Sequence, residues 1–264
     1  MQDPPSAVPR ITRQGVALVD LVIERVRADP SAIAGICGDY SLAEPRPLAP
    51  TAVERLRLPN GKPLPPSLLR WLAFDASWLA QFGWLTSLDE PRLTPRRLEE
   101  VVADGLEYRG WAKDYGRLGD RFDECFLLPP FGEETCRILV VSDPDEWGEY
   151  PVLVADVDDV PTLDLVYPGF DVYLASIARL PIPQRRDADV TWTTLFALPP
   201  YLPRLSQHAR QLFGGHREVL VDAHHPKGYE LLPLPLDDAE DGEERLARDD
   251  REDGQPQEGD ELPF

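Results

Sequence analysis

Residues 136–180 decide the fold of this chain, and they read CRILVVSDPDEWGEYPVLVADVDDVPTLDLVYPGFDVYLASIARL. Short apolar runs bounded by turn residues are typical of buried β-strands, and three of them occur here. After Gly169, apolar residues recur at the spacing of one helical face. The stretch therefore predicts three strands and then a short helix. The predicted strands are 138–141, 152–155 and 163–167, and the predicted helical face comprises Phe170, Tyr173, Leu174 and Ile177.

Two acidic loops separate the three predicted strands. The first surrounds Trp147 with carboxylates, and the second is the segment ADVDDVPTLD. Carboxylates attract Arg and Lys from a distance, and an exposed tryptophan is a frequent anchor of protein interfaces. Trp147 folded back onto the sheet is the alternative. The pattern predicts partner-binding residues at Asp143, Asp145, Glu146, Trp147, Asp156, Asp158, Asp159 and Asp164.

The order of these elements, together with the segment LPPSLLRWL at residues 64–72, resembles the SUKH superfamily. In that family an aromatic and acidic loop precedes a strand, a short acidic turn, another strand and a closing helix. The resemblance implies an α+β fold with an antiparallel or mixed sheet and flanking helices. It also implies a binding protein, most often an immunity protein that neutralises a bacterial toxin, and those toxins are often nucleases. Yeast members act in cell-wall signalling, so a regulatory scaffold is a second implied function.

The net charge of −20 is unevenly distributed along the 264 residues. Residues 237–264 contain 13 acidic residues against three arginines, a net of −10, and almost no apolar residues. Such a segment buries too little surface to offset its ordering entropy, so we expect a disordered acidic tail. The remaining body also carries −10, which disfavours nucleic-acid binding and favours a partner with a basic surface. The predicted division is an N-terminal helical extension at 1–60, a SUKH-like domain at 61–236 and the tail.

Helical spacing also occurs outside the central stretch. It predicts an amphipathic helix from Gln14 to Arg27 and a helix that begins at Pro66 and continues to Leu79. Thr94-Pro95 predicts the start of another helix that ends near Gly105. Further along, residues 205–213 predict a short helix, and 219–223 predict the last strand. The aromatic residues Trp71, Phe74, Trp78 and Trp84 are expected in the core.

No catalytic or cofactor motif accompanies this pattern, so we expect no enzyme activity and no cofactor. The sequence has no GxSxG elbow and no phosphate-binding glycine motif. The alternative is a metal-dependent hydrolase using the aspartates of 156–164 with His224 or His225, although the Ca²⁺-loop pattern is not met. The first residues, MQDPPSAVPR, lack a signal-peptide pattern, and no apolar run approaches membrane-spanning length. A cytoplasmic protein is therefore expected, in an oligomeric state that the sequence leaves open.

Overall fold

The computed structural model describes residues 10–34, 44–106, 109–130, 132, 134–158, 160–184 and 195–231. The helices are α1 (Val16–Ala28), α2 (Ser31–Ala34), α3 (Pro50–Arg55), α4 (Pro66–Leu72), α5 (Ser77–Ala80), α6 (Leu98–Gly105), α7 (Gly116–Gly119), α8 (Phe170–Ile177) and α9 (Leu202–Phe213), with a 3₁₀ helix at Arg109–Tyr115. The strands are β1 (Cys125–Leu128), β2 (Thr135–Val140), β3 (Val152–Asp156), β4 (Thr162–Tyr167), β5 (Glu218–Val221) and β6 (Tyr229–Leu231).

These strands form one six-stranded sheet in which each strand is antiparallel to its neighbours in chain order. Helices accompany the sheet, so the α+β fold class is confirmed, and the sheet is antiparallel rather than mixed. The three strands predicted from residues 136–180 are β2, β3 and β4, and the predicted closing helix is α8. Strand β3 therefore has one acidic loop at each end.

The N-terminal helix belongs to the main hydrophobic core. Helix α1 packs against α8 and α4, and its buried stripe includes Leu18, Val19, Val22 and Val26, as predicted. The core continues from these residues to sheet residues such as Leu153. The division at residues 60 and 61 stays a prediction, and the acidic tail 237–264 lies outside the described residues.

The helix predicted from Pro66 to Leu79 is interrupted, and Asp75 explains why. Its carboxylate accepts hydrogen bonds from the backbone N–H of Trp78 at 2.9 Å and from the hydroxyl of Ser77 at 2.7 Å. The bond to Trp78 satisfies an N–H in the first turn of α5, and the N–H of Ala76, the N-cap residue of α5, donates to the Arg46 carbonyl instead of continuing α4. The single predicted helix is therefore two, α4 and α5. The aromatic residues predicted for the core, Trp71, Phe74, Trp78 and Trp84, are all buried.

Two predicted boundaries are wrong. Helix α6 begins at Leu98 rather than at Thr94-Pro95, because the preceding residues pair with other segments: the N–H of Thr94 donates to Trp84, and that of Arg96 donates to Cys125. The strand predicted as the last is β5, but β6 follows it after a turn. The helix predicted at 205–213 is confirmed as α9, which begins three residues earlier.

Candidate functional site

The loop between β2 and β3 carries Trp147 on a turn built around Asp145. The Asp145 Oδ1 atom accepts hydrogen bonds from the backbone N–H groups of Trp147, at 2.8 Å, and Glu149, at 2.9 Å. Gly148 has φ +77°, a left-handed conformation that side chains rarely adopt. An aspartate that bonds the backbone ahead of it, followed by such a glycine, is the chemistry of a tight turn. The sequence DEWGE therefore fixes the backbone beneath Trp147.

Arg204, on helix α9, holds this turn from the protein interior. Its Nε lies 2.5 Å from Oδ2 of Asp145, and its Nη1 and Nη2 each lie 3.0 Å from a different carboxylate oxygen of Asp171. All three side chains are 0% exposed. A guanidinium that donates two N–H groups to one carboxylate makes a strong and directional contact. Arg204 thus joins the β2–β3 loop to the first turn of α8.

Asp171 and Arg204 also fix the backbone that leads into α1. Oδ2 of Asp171 accepts the N–H of Gly15 at 2.6 Å, and the side-chain oxygen of Gln14 accepts from Arg204 Nη1 at 3.0 Å. Gly15 immediately precedes α1 and has φ +58°. Three segments that are distant from α9 in sequence therefore converge on one guanidinium. We refer to Asp145, Glu149, Asp171, Arg204 and His208 as the buried ionic cluster.

Glu149 is the cluster's third carboxylate, and it faces the start of α4. Its Oε1 accepts the N–H of Ser67 at 2.9 Å, and the Ser67 hydroxyl bonds to its Oε2. Burial, and then the negative charge of Asp171, raises the pKa of Glu149 to about 8. Glu149 is therefore mostly protonated at neutral pH. The cluster then holds two carboxylates against the charge of Arg204.

Asp145 and Arg204, unlike Glu149, both favour their charged forms, because the charge of each residue stabilises that of the other. Burial raises the pKa of Asp145, but the nearby imidazole of His208 and the charge of Arg204 outweigh it, so that the pKa lies below its usual value. Burial lowers the pKa of Arg204, but Asp171 and Asp145 outweigh it and raise that pKa overall. The Nε2 atom of His208 donates to the carbonyl of Pro168 at 3.1 Å and lies 3.8 Å from Asp145 Oδ2.

Above this cluster, Trp147 is 44% exposed and rests on Gly15. A Cβ atom at Gly15 would lie 3.2 Å from Cε3 of the indole, so the bare backbone there allows the ring to lie close. Val16, the next residue, is also exposed, at 38%. Glu146 is exposed, and Asp143, whose side chain is 77% exposed, forms an ion pair of 3.3 Å with Lys62. These four residues, Asp143, Glu146, Trp147 and Val16, are referred to as the Trp147 surface.

The remaining predicted residues that the structure describes lie toward the other end of β3. Asp156 is half-buried and accepts the N–H of Asp158 at 3.0 Å, whereas Asp158 is exposed. Asp164 is buried in β4, and Asp159 lies outside the described residues. The structure therefore divides the seven predicted residues that it describes into two groups separated by a strand. That any of the eight residues binds a partner stays a prediction. Asp145 and Asp164 are buried, so they could act on a partner only through the residues that they hold in place.

Arg204, His208 and Asp171 were not identified as site residues from the sequence, although a signal for the first two exists. Arg204 and His208 are four residues apart in α9, on the same helical stripe as the buried Leu205 and Leu212. A charged residue within an apolar stripe is buried, and a buried charge needs a partner. Nothing comparable marks Asp171, because its partners are 33 and 156 residues away.

Neither a metal site nor a membrane span emerges from the part of the chain that the structure describes. No group of three or more His, Cys, Asp or Glu side chains there is arranged to hold a metal ion. His224 and His225 lie in the turn between β5 and β6, where His225 Nδ1 accepts the N–H of Lys227 at 3.2 Å. Among the described helices, none has the length and apolar character needed to cross a membrane.

Comparisons with known proteins leave the family open. No protein-family model matches the chain, and no curated protein matches it. Among solved structures, the chain is similar to the crystal structure of an uncharacterized protein from Salmonella enterica subsp. enterica serovar typhimurium str. 14028s. That similarity has 16% sequence identity and a TM-score of 0.40, and it covers 73% of this chain and 89% of the other. Similarity at this level carries no argument about function.

Proposed function

We propose that this chain is a cytoplasmic, non-enzymatic immunity protein that binds a cognate bacterial toxin and neutralises it by covering a basic surface. The substrate cleft of a nuclease is one such surface, because a nuclease binds a polyanion. The observation that carries the proposal is the half-exposed Trp147 on an acidic turn that is fixed from within.

A fixed turn matters because binding immobilises side chains and loops, which costs free energy. The Arg204–Asp145 pair and the Gly148 turn order the backbone under Trp147 before any partner arrives. An ordered tryptophan offers a large contact area at low entropic cost, and tryptophans are enriched among the residues that dominate binding energy. Trp147 is therefore suited to be the anchor of an interface.

Charge supports the same proposal. Asp143 and Glu146 are exposed in the same loop as Trp147, and the chain carries −20 overall. Complementary fields accelerate the encounter of two proteins, while well-packed anchors slow their dissociation. An acidic inhibitor of a basic toxin would use both effects. The resemblance to SUKH sequences is consistent with such a role.

The test is co-expression with a toxin encoded beside this protein's gene, followed by measurement of the purified pair. We expect rescue of growth, a stable complex, and at least about a tenfold loss of affinity for Trp147→Ala. Trp111→Ala is the matched control, because Trp111 is also exposed, at 38%, but lies in the 3₁₀ helix. Equal affinities for the two variants would exclude the Trp147 surface. Weak binding to many unrelated proteins would point to a scaffold instead.

A further inference from the structure

Three carboxylates share one face of the sheet, at the end of β3 opposite the Trp147 surface. Asp164 in β4 lies directly opposite Glu218 in β5 on one side and Val154 in β3 on the other. Asp156 follows Val154 by two residues, and side chains two apart on a strand point to the same face. Asp156, Asp164 and Glu218 are referred to as the three-carboxylate face.

This arrangement is electrostatically unfavourable. Like charges directly opposite each other on antiparallel strands are destabilising. Burial, and then the charges of Glu218 and Asp156, raises the pKa of Asp164 to about 8, and burial with Asp156 raises the pKa of Glu218. The three carboxylates therefore repel one another when they are ionised. A bound cation would relieve this repulsion.

The central carboxylate is only partly satisfied: burial raises the pKa of Asp164 more than the charge of Arg217 and a side-chain hydrogen bond with Thr162 lower it. Asp164 is only 4% exposed, and its Oδ1 has no hydrogen-bond partner among the residues that the structure describes. Arg217 is nearby, but its Nη2 donates to the carbonyl of Leu165 at 3.5 Å, and its Nε is also without a described partner. Burial lowers the pKa of Arg217 to about 10, against the charge of Asp164. A buried acceptor left unsatisfied costs free energy, so this oxygen points to a missing donor.

The geometry restricts what the donor can be. Within the described part of the chain, these carboxylates are not arranged to hold a metal ion. A guanidinium is larger and planar, presents five N–H donors, and is weakly hydrated, so it suits carboxylates that are partly desolvated. We propose that the three-carboxylate face binds the guanidinium group of an arginine, with Asp156 and Glu218 at the half-exposed entrance and Asp164 behind them. The inference does not rest on toxin neutralisation, because a small guanidine can occupy the face without a toxin.

Proton release is the expected signature of this binding. The charged and titratable groups around Asp164 are Glu218 in β5, Arg217 just before it, Asp156 in β3 and Tyr115 in the 3₁₀ helix. Arg137 in β2 lies on the same face, in the cross-strand row of Val154 and Asp164. The Tyr115 hydroxyl donates to the Thr162 carbonyl at 2.9 Å. A guanidinium stabilises the ionised carboxylate, so a protonated Asp164 loses its proton when the cation binds. Binding should therefore release up to one proton near pH 7 and little above about pH 9.

The experiment is calorimetric titration of the full chain with agmatine, in two buffers of different ionisation enthalpy. We expect a dissociation constant of about 1 mM and release of close to one proton at about pH 7. Asp164→Asn should abolish proton release, and Asp164→Asn and Glu218→Gln should each weaken binding by about tenfold or more. Glu54→Gln is the matched control, because Glu54 is an exposed carboxylate in α3, outside the three-carboxylate face, and this variant should bind like the wild type.

Tetramethylammonium, a cation without N–H donors, should not compete with agmatine. No saturable agmatine binding up to about 50 mM would overturn the proposal. Binding that is unchanged in the folded Asp164→Asn variant, or that follows charge alone and includes tetramethylammonium, would also overturn it. A blocked Ala-Arg-Ala peptide distinguishes the two sources of the guanidinium group. If the peptide binds more tightly than agmatine, the guanidinium belongs to a protein partner. If the peptide binds more weakly, the guanidinium belongs to a small molecule.

Discussion

Arg204 and Asp171 meet through two hydrogen bonds of 3.0 Å, Nη1 to Oδ2 and Nη2 to Oδ1, with neither side chain exposed. Removing two charges from water is costly, and mutual attraction offsets that cost only when the geometry is good and other hydrogen bonds are satisfied. Here the third guanidinium nitrogen bonds to Asp145, and Asp171 also accepts the N–H of Gly15. We infer that the pair sets the positions of the Trp147 turn and of α1.

Replacing Arg204 by Met should be strongly destabilising, because Asp145 and Asp171 would remain buried without their cation. Loss of one partner of a buried ion pair typically costs about 3–5 kcal/mol. Denaturant unfolding measures this change. Adding Asp171→Asn to Arg204→Met should recover part of the loss, since it removes one unpaired charge.

Arg70→Met is the matched control for Arg204→Met. Arg70 pairs with Asp20 at 2.7 Å, but their side chains are 35% and 45% exposed. Such pairs contribute only about 0–1 kcal/mol. Equal losses of unfolding free energy for Arg204→Met and Arg70→Met would show that the buried ionic cluster stabilises the fold no more than an exposed ion pair does.

Glu149 should make the protein less stable as pH rises from about 4.5 to 8, because its pKa is about 8 in the folded state and near 4.5 when unfolded. In this window the folded state holds a proton that the unfolded state releases, so one group contributes a slope of up to about 1.4 kcal/mol per pH unit. Stability is therefore fully present below the unfolded pKa and is lost as pH rises through the folded pKa.

Glu149→Gln tests this slope, because glutamine mimics the protonated side chain beside Ser67. The free energy of unfolding of Glu149→Gln, relative to the wild type, should increase with pH across the window. Asp164 has a pKa raised to about 8 as well, so Asp164→Asn should remove a similar slope and the double variant should be the flattest. Parallel pH profiles for the wild type and Glu149→Gln would contradict the assignment.

Gly169→Ala should disrupt the cluster through size alone. A Cβ atom at Gly169 would lie 2.5 Å from Nη2 of Arg204 and 2.7 Å from Cβ of Glu149. Forcing an extra methyl into packed space costs about 1–3 kcal/mol. Gly116→Ala is the control, because nothing lies within 4 Å of a Cβ there. Thermal unfolding should show a lower melting temperature for Gly169→Ala only, and similar melting temperatures for both would contradict the close packing.

The sequence predicted the central sheet well because its signals are local. Strands β2, β3 and β4 are apolar runs separated by turn residues, and α8 follows a glycine. Where local signals were ambiguous, tertiary contacts decided. Asp75 bonds to the first turn of α5 where the continuous helical stripe is interrupted, and pairing with Trp84 and Cys125 holds residues 94–96 out of α6.

The site was only partly predictable, for the same physical reason. Trp147 and its acidic neighbours are adjacent in sequence, so they could be identified together. The support beneath them joins Gly15, Asp145, Asp171 and Arg204, whose proximity depends on how the whole chain folds. The closeness of Asp156 and Asp164 in the segment ADVDDVPTLD predicted two acidic positions, but Glu218 joins them only through the β4–β5 register.

Reversing charge on the Trp147 surface should slow association with a basic partner. In the double variant Asp143→Lys/Glu146→Lys, two exposed carboxylates become ammonium groups, and Lys62 loses its ion pair with Asp143. Surface charges act mainly on the association rate, so we expect about a tenfold decrease or more at low salt. The decrease should shrink as salt rises, because ions screen exposed charges.

Asp89→Lys/Glu90→Lys is the control for net charge, since both residues are adjacent and exposed in another turn. Stopped-flow binding at several salt concentrations distinguishes the two double variants, and identical association rates would show that only the total charge of the chain matters.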